Sequence, residues 1–213
     1  MNPPRASEWW LRLLLADRDR ETVSGDLLEE YREAVLPARG ERAARRWYRR
    51  QVLGIAWRSA RTPLALGALC GAALGAWILV DTVRQPLSDD DALGIVVAFA
   101  AMLAVWAAMA AAVAWPTRRL GHGVAAGLLV GAATLLVLHV AAIARVVMFV
   151  DTIRARDDWQ NLLVRYHRSG FATLRAYAVY EYVRQTPLIL AIGAVGGALS
   201  GAVGGLVARL RPR

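Results

Sequence analysis

The side chains able to do chemistry in this sequence are few and scattered. Three histidines, His122, His139 and His167, stand far apart, and Cys70 is the single cysteine. One cysteine excludes an internal disulfide, a CxxC redox pair and a cysteine-based zinc site. Three separated histidines leave little material for a metal centre. An acid–base site would have to draw on Asp157, Asp158 and His167, which share one polar stretch. A general acid or base needs hydrogen-bond reach to the proton it moves, and nothing in this spacing specifies such reach. No nucleophile–base pair, phosphate loop or dinucleotide fingerprint is present. The sequence names no catalytic residue, no metal and no cofactor, and points to a non-enzymatic protein.

Two polar groups stand out because of their apolar surroundings. His139 lies inside a long run without acids or bases, and Arg145 closes that run. Polar groups within a membrane are functional candidates by default. A proton relay through His139 would need an acid at the same depth, and no apolar run contains one. A hydrogen bond to a neighbouring helix is the plainer role, with Thr134 a little over one turn away. Arg145 can snorkel toward the membrane surface, and Cys70 reads as a small packing residue.

The elements that must position these groups are set by hydrophobic length. The chain has 213 residues, 57% hydrophobic and 20% charged, against about 25% charged in ordinary soluble proteins. Residues 62–80, 92–115, 122–144 and 186–208 hold no Asp, Glu, Lys or Arg, and each is close to the ~20 residues that carry a helix across a bilayer. The first run begins too far into the chain for a cleavable signal peptide. The expected fold is all-α: an integral membrane four-helix bundle over 62–213, with a small cytoplasmic helical module over 1–61.

Arginine supplies all 26 basic residues, against 17 acidic ones, for a net charge of +9. Arg42, Arg45, Arg46, Arg49, Arg50, Arg58 and Arg61 precede the first span, Arg118 and Arg119 separate the second and third, and Arg209, Arg211 and Arg213 follow the fourth. Four crossings place these groups on one side, which the positive-inside rule makes cytoplasmic. The opposite side receives the acidic loop 81–91 and a longer segment, 151–184. The basic excess therefore reads as a topology signal that also attracts anionic lipid headgroups, with no nucleic-acid partner implied. A bacterial inner-membrane protein with both termini cytoplasmic is expected.

Three of the four spans carry glycine at every fourth position: Gly67, Gly71 and Gly75; Gly123, Gly127 and Gly131; and Gly193, Gly197, Gly201 and Gly205. That spacing keeps them on one helix face, a glycine zipper along which another backbone can approach closely. Packing inside one bundle is the simpler outcome, and a homo-oligomer or pore lined by small residues is the alternative. The second span instead carries Phe99, Met102, Trp106 and Met109, a stripe that faces lipid or fills the core. Asp81-Thr82-Val83-Arg84 and Asp151-Thr152-Ile153-Arg154 repeat one pattern, most simply as an i,i+3 ion pair at a helix end. Segment 151–184 interleaves aromatics with arginines and reads as helical extensions of spans three and four, interrupted at Ser169-Gly170.

The N-terminal module reads as three short helices. The first follows Pro3-Pro4, with Trp9, Trp10, Leu13 and Leu14 as its apolar stripe. The second follows Ser24-Gly25, with Asp26 as its cap, Glu29 at capping-box distance, and Leu27, Leu28, Tyr31 and Val35 at helical spacing; Pro37 and Gly40 end it. The third runs from about Glu41 toward the membrane.

Trp9-Trp10-Leu11-Arg12-Leu13-Leu14-Leu15, Gly25-Asp26-Leu27-Leu28-Glu29-Glu30-Tyr31-Arg32 and Ala44-Arg45-Arg46-Trp47-Tyr48-Arg49-Arg50-Gln51-Val52-Leu53 together resemble the permease prefix domain, the N-terminal segment of bacterial FtsX-like, macrolide-exporter-type permeases. The resemblance covers roughly residues 3–60. The chain is far too short to hold the large periplasmic domain of those permeases. What the resemblance implies is a transport-associated membrane protein. The leading reading of the residues themselves is a non-enzymatic membrane protein whose cytoplasmic prefix binds a protein partner, with Asp26, Leu27, Glu30 and Tyr31 as the expected surface. A small self-assembling channel or transporter is the alternative.

Overall fold

A computed structural model describes residues 17–87 and 92–210, and all of the regular secondary structure it describes is helical. Helix α1 spans Asp17–Glu30 and passes through a π turn, Tyr31–Val35, into α2, Leu36–Arg84. Helix α3 spans Ala92–Ala114 and α4 Leu120–Ile153. A 3₁₀ turn, Asp157–Trp159, leads into the short α5, Gln160–His167, and α6 spans Leu174–Leu210. Four helices, α2, α3, α4 and α6, are long and apolar enough to cross a membrane. The protein is an all-α, multi-pass membrane protein.

The N-terminal module departs from the three-helix expectation. The proposed first helix lies outside the described residues. Helix α1 runs straight through Ser24-Gly25, so Asp26 sits in mid-helix and caps nothing. A glycine inside a helix costs about 1 kcal/mol relative to alanine, too little to break a helix that continues on both sides. Pro37 does not end it either. The break falls at Gly40, whose φ of 71° and ψ of 167° are non-helical and suit a residue without Cβ. The chain folds back there into a hairpin, with Tyr31, Val35, Ala44, Tyr48 and Val52 as its core. Beyond Gly40 the helix is continuous over residues 41–84, so the module joins the first span with no flexible linker.

The four long helices pack around an α4–α6 pair, the most extensive contact in the molecule. Helix α2 lies on α4, and α3 touches both α4 and α6, whereas α2 and α3 hardly meet. A Cβ added to Gly123 would stand 2.6 Å from the Gly201 carbonyl oxygen, and one on Gly193 would stand 2.6 Å from that of Gly131. Gly127 and Gly197 oppose each other still more closely. A Cβ added to Gly71 would stand 2.5 Å from the Thr134 carbonyl oxygen, and Cβ atoms on Gly67 and Gly75 would stand 2.9 and 2.6 Å from the Cβ atoms of Ala133 and Ala141. Large apolar side chains face outward instead, among them Leu69, Trp77, Val140, Val195, Leu199 and Val203. This inverted distribution suits a solvent of lipid tails, where helices gain by close backbone packing and not by hiding leucine from water.

Helices α4 and α6, with 34 and 37 residues, are about 51 and 55 Å long at 1.5 Å per residue. They outrun the ~30 Å hydrocarbon layer and project together at one end. There Val146, Val150, Ile153, Trp159 and Ala178 form a second small core. Gly170, with φ 73°, turns the chain from α5 toward α6. Asp151 pairs across to Arg175 at 3.1 Å, in place of the expected i,i+3 partner Arg154, because α6 brings a guanidinium alongside the end of α4.

The glycine contacts make a stability prediction. Gly127→Ala and Gly197→Ala should each cost on the order of 1–3 kcal/mol by overpacking. Gly54→Ala, whose added Cβ meets nothing within 4 Å, should instead stabilise by about 0.5–1 kcal/mol. Reversible unfolding of the full chain in mild detergent, followed by circular dichroism, measures both signs.

Candidate functional site

The hairpin of α1 and the N-terminal half of α2 leaves a groove of about 400 Å³. Val23, Asp26, Leu27 and Glu30 line it from α1, and Gln51, Ile55, Arg58 and Ser59 from α2. The helical spacing of 23, 26, 27 and 30 puts the first four on one face of α1, and Leu27 and Ile55 supply its apolar surface. Asp26 and Glu30 make one wall acidic, and Arg58 makes the other basic. Three of the four residues expected to meet a partner therefore come together. The fourth does not: Tyr31 is fully buried and packs edge-on against Tyr48, with ring centroids 5.6 Å apart. The hairpin turn at Gly40 makes Tyr31 a core residue, because it closes the two motif blocks, 25–32 and 44–53, onto each other.

Inside the bundle, polar contacts gather on Thr134, which is fully buried. The Trp106 indole N–H donates to Thr134 Oγ1 at 3.1 Å, and the Thr134 hydroxyl in turn faces the Gly67 and Val130 carbonyl oxygens at 3.1 and 2.8 Å. One hydroxyl thus ties α2 and α3 to α4. Trp106, 1% exposed, belongs to the interior and not to the lipid face. Its ring also lies 3.3 Å from where a Cβ on Gly196 would stand. Gly204 packs against Ala107 and Ala111 of α3. Gly196, Ser200 and Gly204 form a second small-residue stripe on α6, legible in the sequence at the same four-residue spacing as the first.

His139 is buried between α4 and α6. Its Nε2 lies 3.0 Å from the Tyr182 carbonyl oxygen and 3.2 Å from Thr186 Oγ1. A carbonyl only accepts, so the tautomer protonated on Nε2 makes this bond. The Tyr182 ring stacks on the imidazole at 6.0 Å between centroids. These contacts join two helices and reach no carboxylate. The nearest acid along α6, Glu181, is 7% exposed and faces Arg165 and Arg184, each at 3.9 Å. Arg145 stands further along α4, at the end of a cleft between α2 and α3.

The acid–base candidates of the 151–184 segment stay apart. His167 Nδ1 donates to the Leu163 carbonyl of its own helix at 2.7 Å, and Asp158 pairs with Arg156 at 3.3 Å. Among the described residues no group of three His, Cys, Asp or Glu side chains gathers.

No protein-family model matches this sequence, and no curated protein and no solved structure matches it either.

The Thr134 contacts predict that Thr134→Val, which keeps the shape and removes the hydroxyl, destabilises the bundle by about 1–3 kcal/mol by leaving a buried indole N–H without its acceptor. Thr134→Ser should lose far less. The unfolding midpoint in mild detergent, followed by circular dichroism, separates the two.

Proposed function

We propose that this chain is a non-enzymatic, transport-associated protein of the bacterial inner membrane, with both termini cytoplasmic, whose N-terminal hairpin docks a protein partner. The observation that carries this reading is the helix over residues 41–84, which runs without interruption from the hairpin core into the first span. A partner seated in the groove of Asp26, Leu27, Glu30 and Arg58 presses on the helix that crosses the membrane. Binding there is mechanically coupled to the bundle, as an accessory subunit of a membrane machine requires. The apolar centre and oppositely charged walls suit an amphipathic helix carrying both signs of charge.

The resemblance to the permease prefix domain supports the same reading, since two of the three motif blocks that carry it, residues 25–32 and 44–53, are the two sides of this hairpin. Arginine placement supports the orientation. All ten glycines of the three stripes are in contact with another helix of the same chain, which favours a self-contained four-helix unit over a pore assembled through glycine faces.

Two experiments test this. Asp26→Arg combined with Glu30→Arg in the full-length chain should abolish recovery of a protein partner in a mild-detergent pull-down, while Gly54→Ala leaves it intact; unchanged recovery rejects the groove. For orientation, a membrane-impermeant maleimide applied to spheroplasts should label Ser169→Cys and spare Ser59→Cys, both in a Cys70→Ala background. The reverse pattern overturns the topology.

A further inference from the structure

Because α2 and α3 both pack on α4 but hardly meet, a wedge remains between them, with α4 as its floor. It is a cleft of about 390 Å³, within the ~300–1,000 Å³ range of small-molecule sites. Its walls are polarised along the helix axes. The close approach of Gly75 to Ala141 aligns α2 with α4, so Leu74 and Leu138 lie at one end and Asp81 and Arg145 at the other. Helix α3 runs the opposite way and places Met102 at the apolar end and Gly94 at the charged end. Both charged residues terminate apolar runs, at the depth where a bilayer changes from hydrocarbon to headgroup.

The charged end is electrostatically incomplete. Arg145 has no hydrogen-bond or ion-pair partner among the described residues, and its Nε is buried. Asp81 lines the same mouth without pairing to it. A buried polar nitrogen without an acceptor costs free energy, and a guanidinium binds phosphate through strong charge-assisted hydrogen bonds. We propose that this cleft holds one phospholipid. Its acyl chain lies along Leu74, Met102 and Leu138, its phosphate sits on Arg145, and Asp81 selects a headgroup that also carries an ammonium. A cleft with one dry end and both signs of charge at the other matches a zwitterionic amphiphile. Trp77 and Phe99, 68% and 44% exposed, leave its side open to the lipid phase, which allows entry from the bilayer. This site is independent of the hairpin groove and of any partner there.

The test uses the full-length chain in nanodiscs containing equal phosphatidylethanolamine and phosphatidylglycerol, with retained lipid counted by native mass spectrometry. Wild type should keep one phosphatidylethanolamine in preference to phosphatidylglycerol. Arg145→Gln should lower retention of both by about tenfold, the worth of one charge-assisted contact. Asp81→Asn should keep a lipid but lose the preference. Ala98→Trp, which obstructs the cleft and leaves both charges in place, should release the lipid; it decides the matter if Arg145→Gln fails to fold by circular dichroism. No retained lipid in wild type, equal retention across folded variants, or a second copy of the chain in place of lipid would each overturn the proposal.

Discussion

The contact on which the rest depends is the close approach of α4 and α6 through Gly123, Gly127 and Gly131 against Gly193, Gly197 and Gly201. In a lipid solvent there is no gain from removing leucine from water, so helices associate where their backbones can come near enough for dense van der Waals contact. A single methyl on this seam would collide with a carbonyl oxygen of the other helix. Once these two helices are joined, α6 still has its second small stripe for α3, and α4 still has Val130, Ala133, Thr134 and Ala141 for the glycines of α2. The bundle is therefore built outward from one glycine seam, and the bulky side chains are left for the lipid face.

Polar groups then fix register on this tightly packed frame. Thr134 holds Trp106 of α3 and faces the Gly67 carbonyl of α2, so a slide of either helix would break a buried hydrogen bond. His139 does the same between α4 and α6 through Tyr182 and Thr186. Such bonds are individually modest in membranes, where other partners remain within reach before assembly. Their value here is positional, because each marks one alignment among several that the repeating glycines would tolerate.

Much of this architecture was legible beforehand, and for a definite reason. A span is a length of uncharged sequence, and a close helix contact is a four-residue spacing of small residues; both are one-dimensional properties. The break at Gly40 could also be read locally, since its positive φ is a property of one residue. Less was legible where two elements compete. Ser24-Gly25 looked like a helix start, but the local preference of two residues was weaker than a helix continuing on both sides. Tyr31 looked exposed enough to bind a partner until the hairpin closed Tyr48 over it. Trp106 sat in a stripe that could face either lipid or protein, and the side it takes depends on where Gly196 and Thr134 arrive.

The sequence by itself determined that the chain is all-helical, that four of its helices are long and apolar enough to cross a membrane, and which faces of three spans are small enough to touch. These follow from hydrophobic length and period, which need no knowledge of neighbours. Only the tertiary structure decided which glycine stripe meets which, that Asp26, Leu27 and Glu30 share a groove with Arg58, and that Asp81 and Arg145 flank one cleft. Those residues are separated by tens of positions, and only three-dimensional packing, which places distant segments at a common depth, brings their chemistry together.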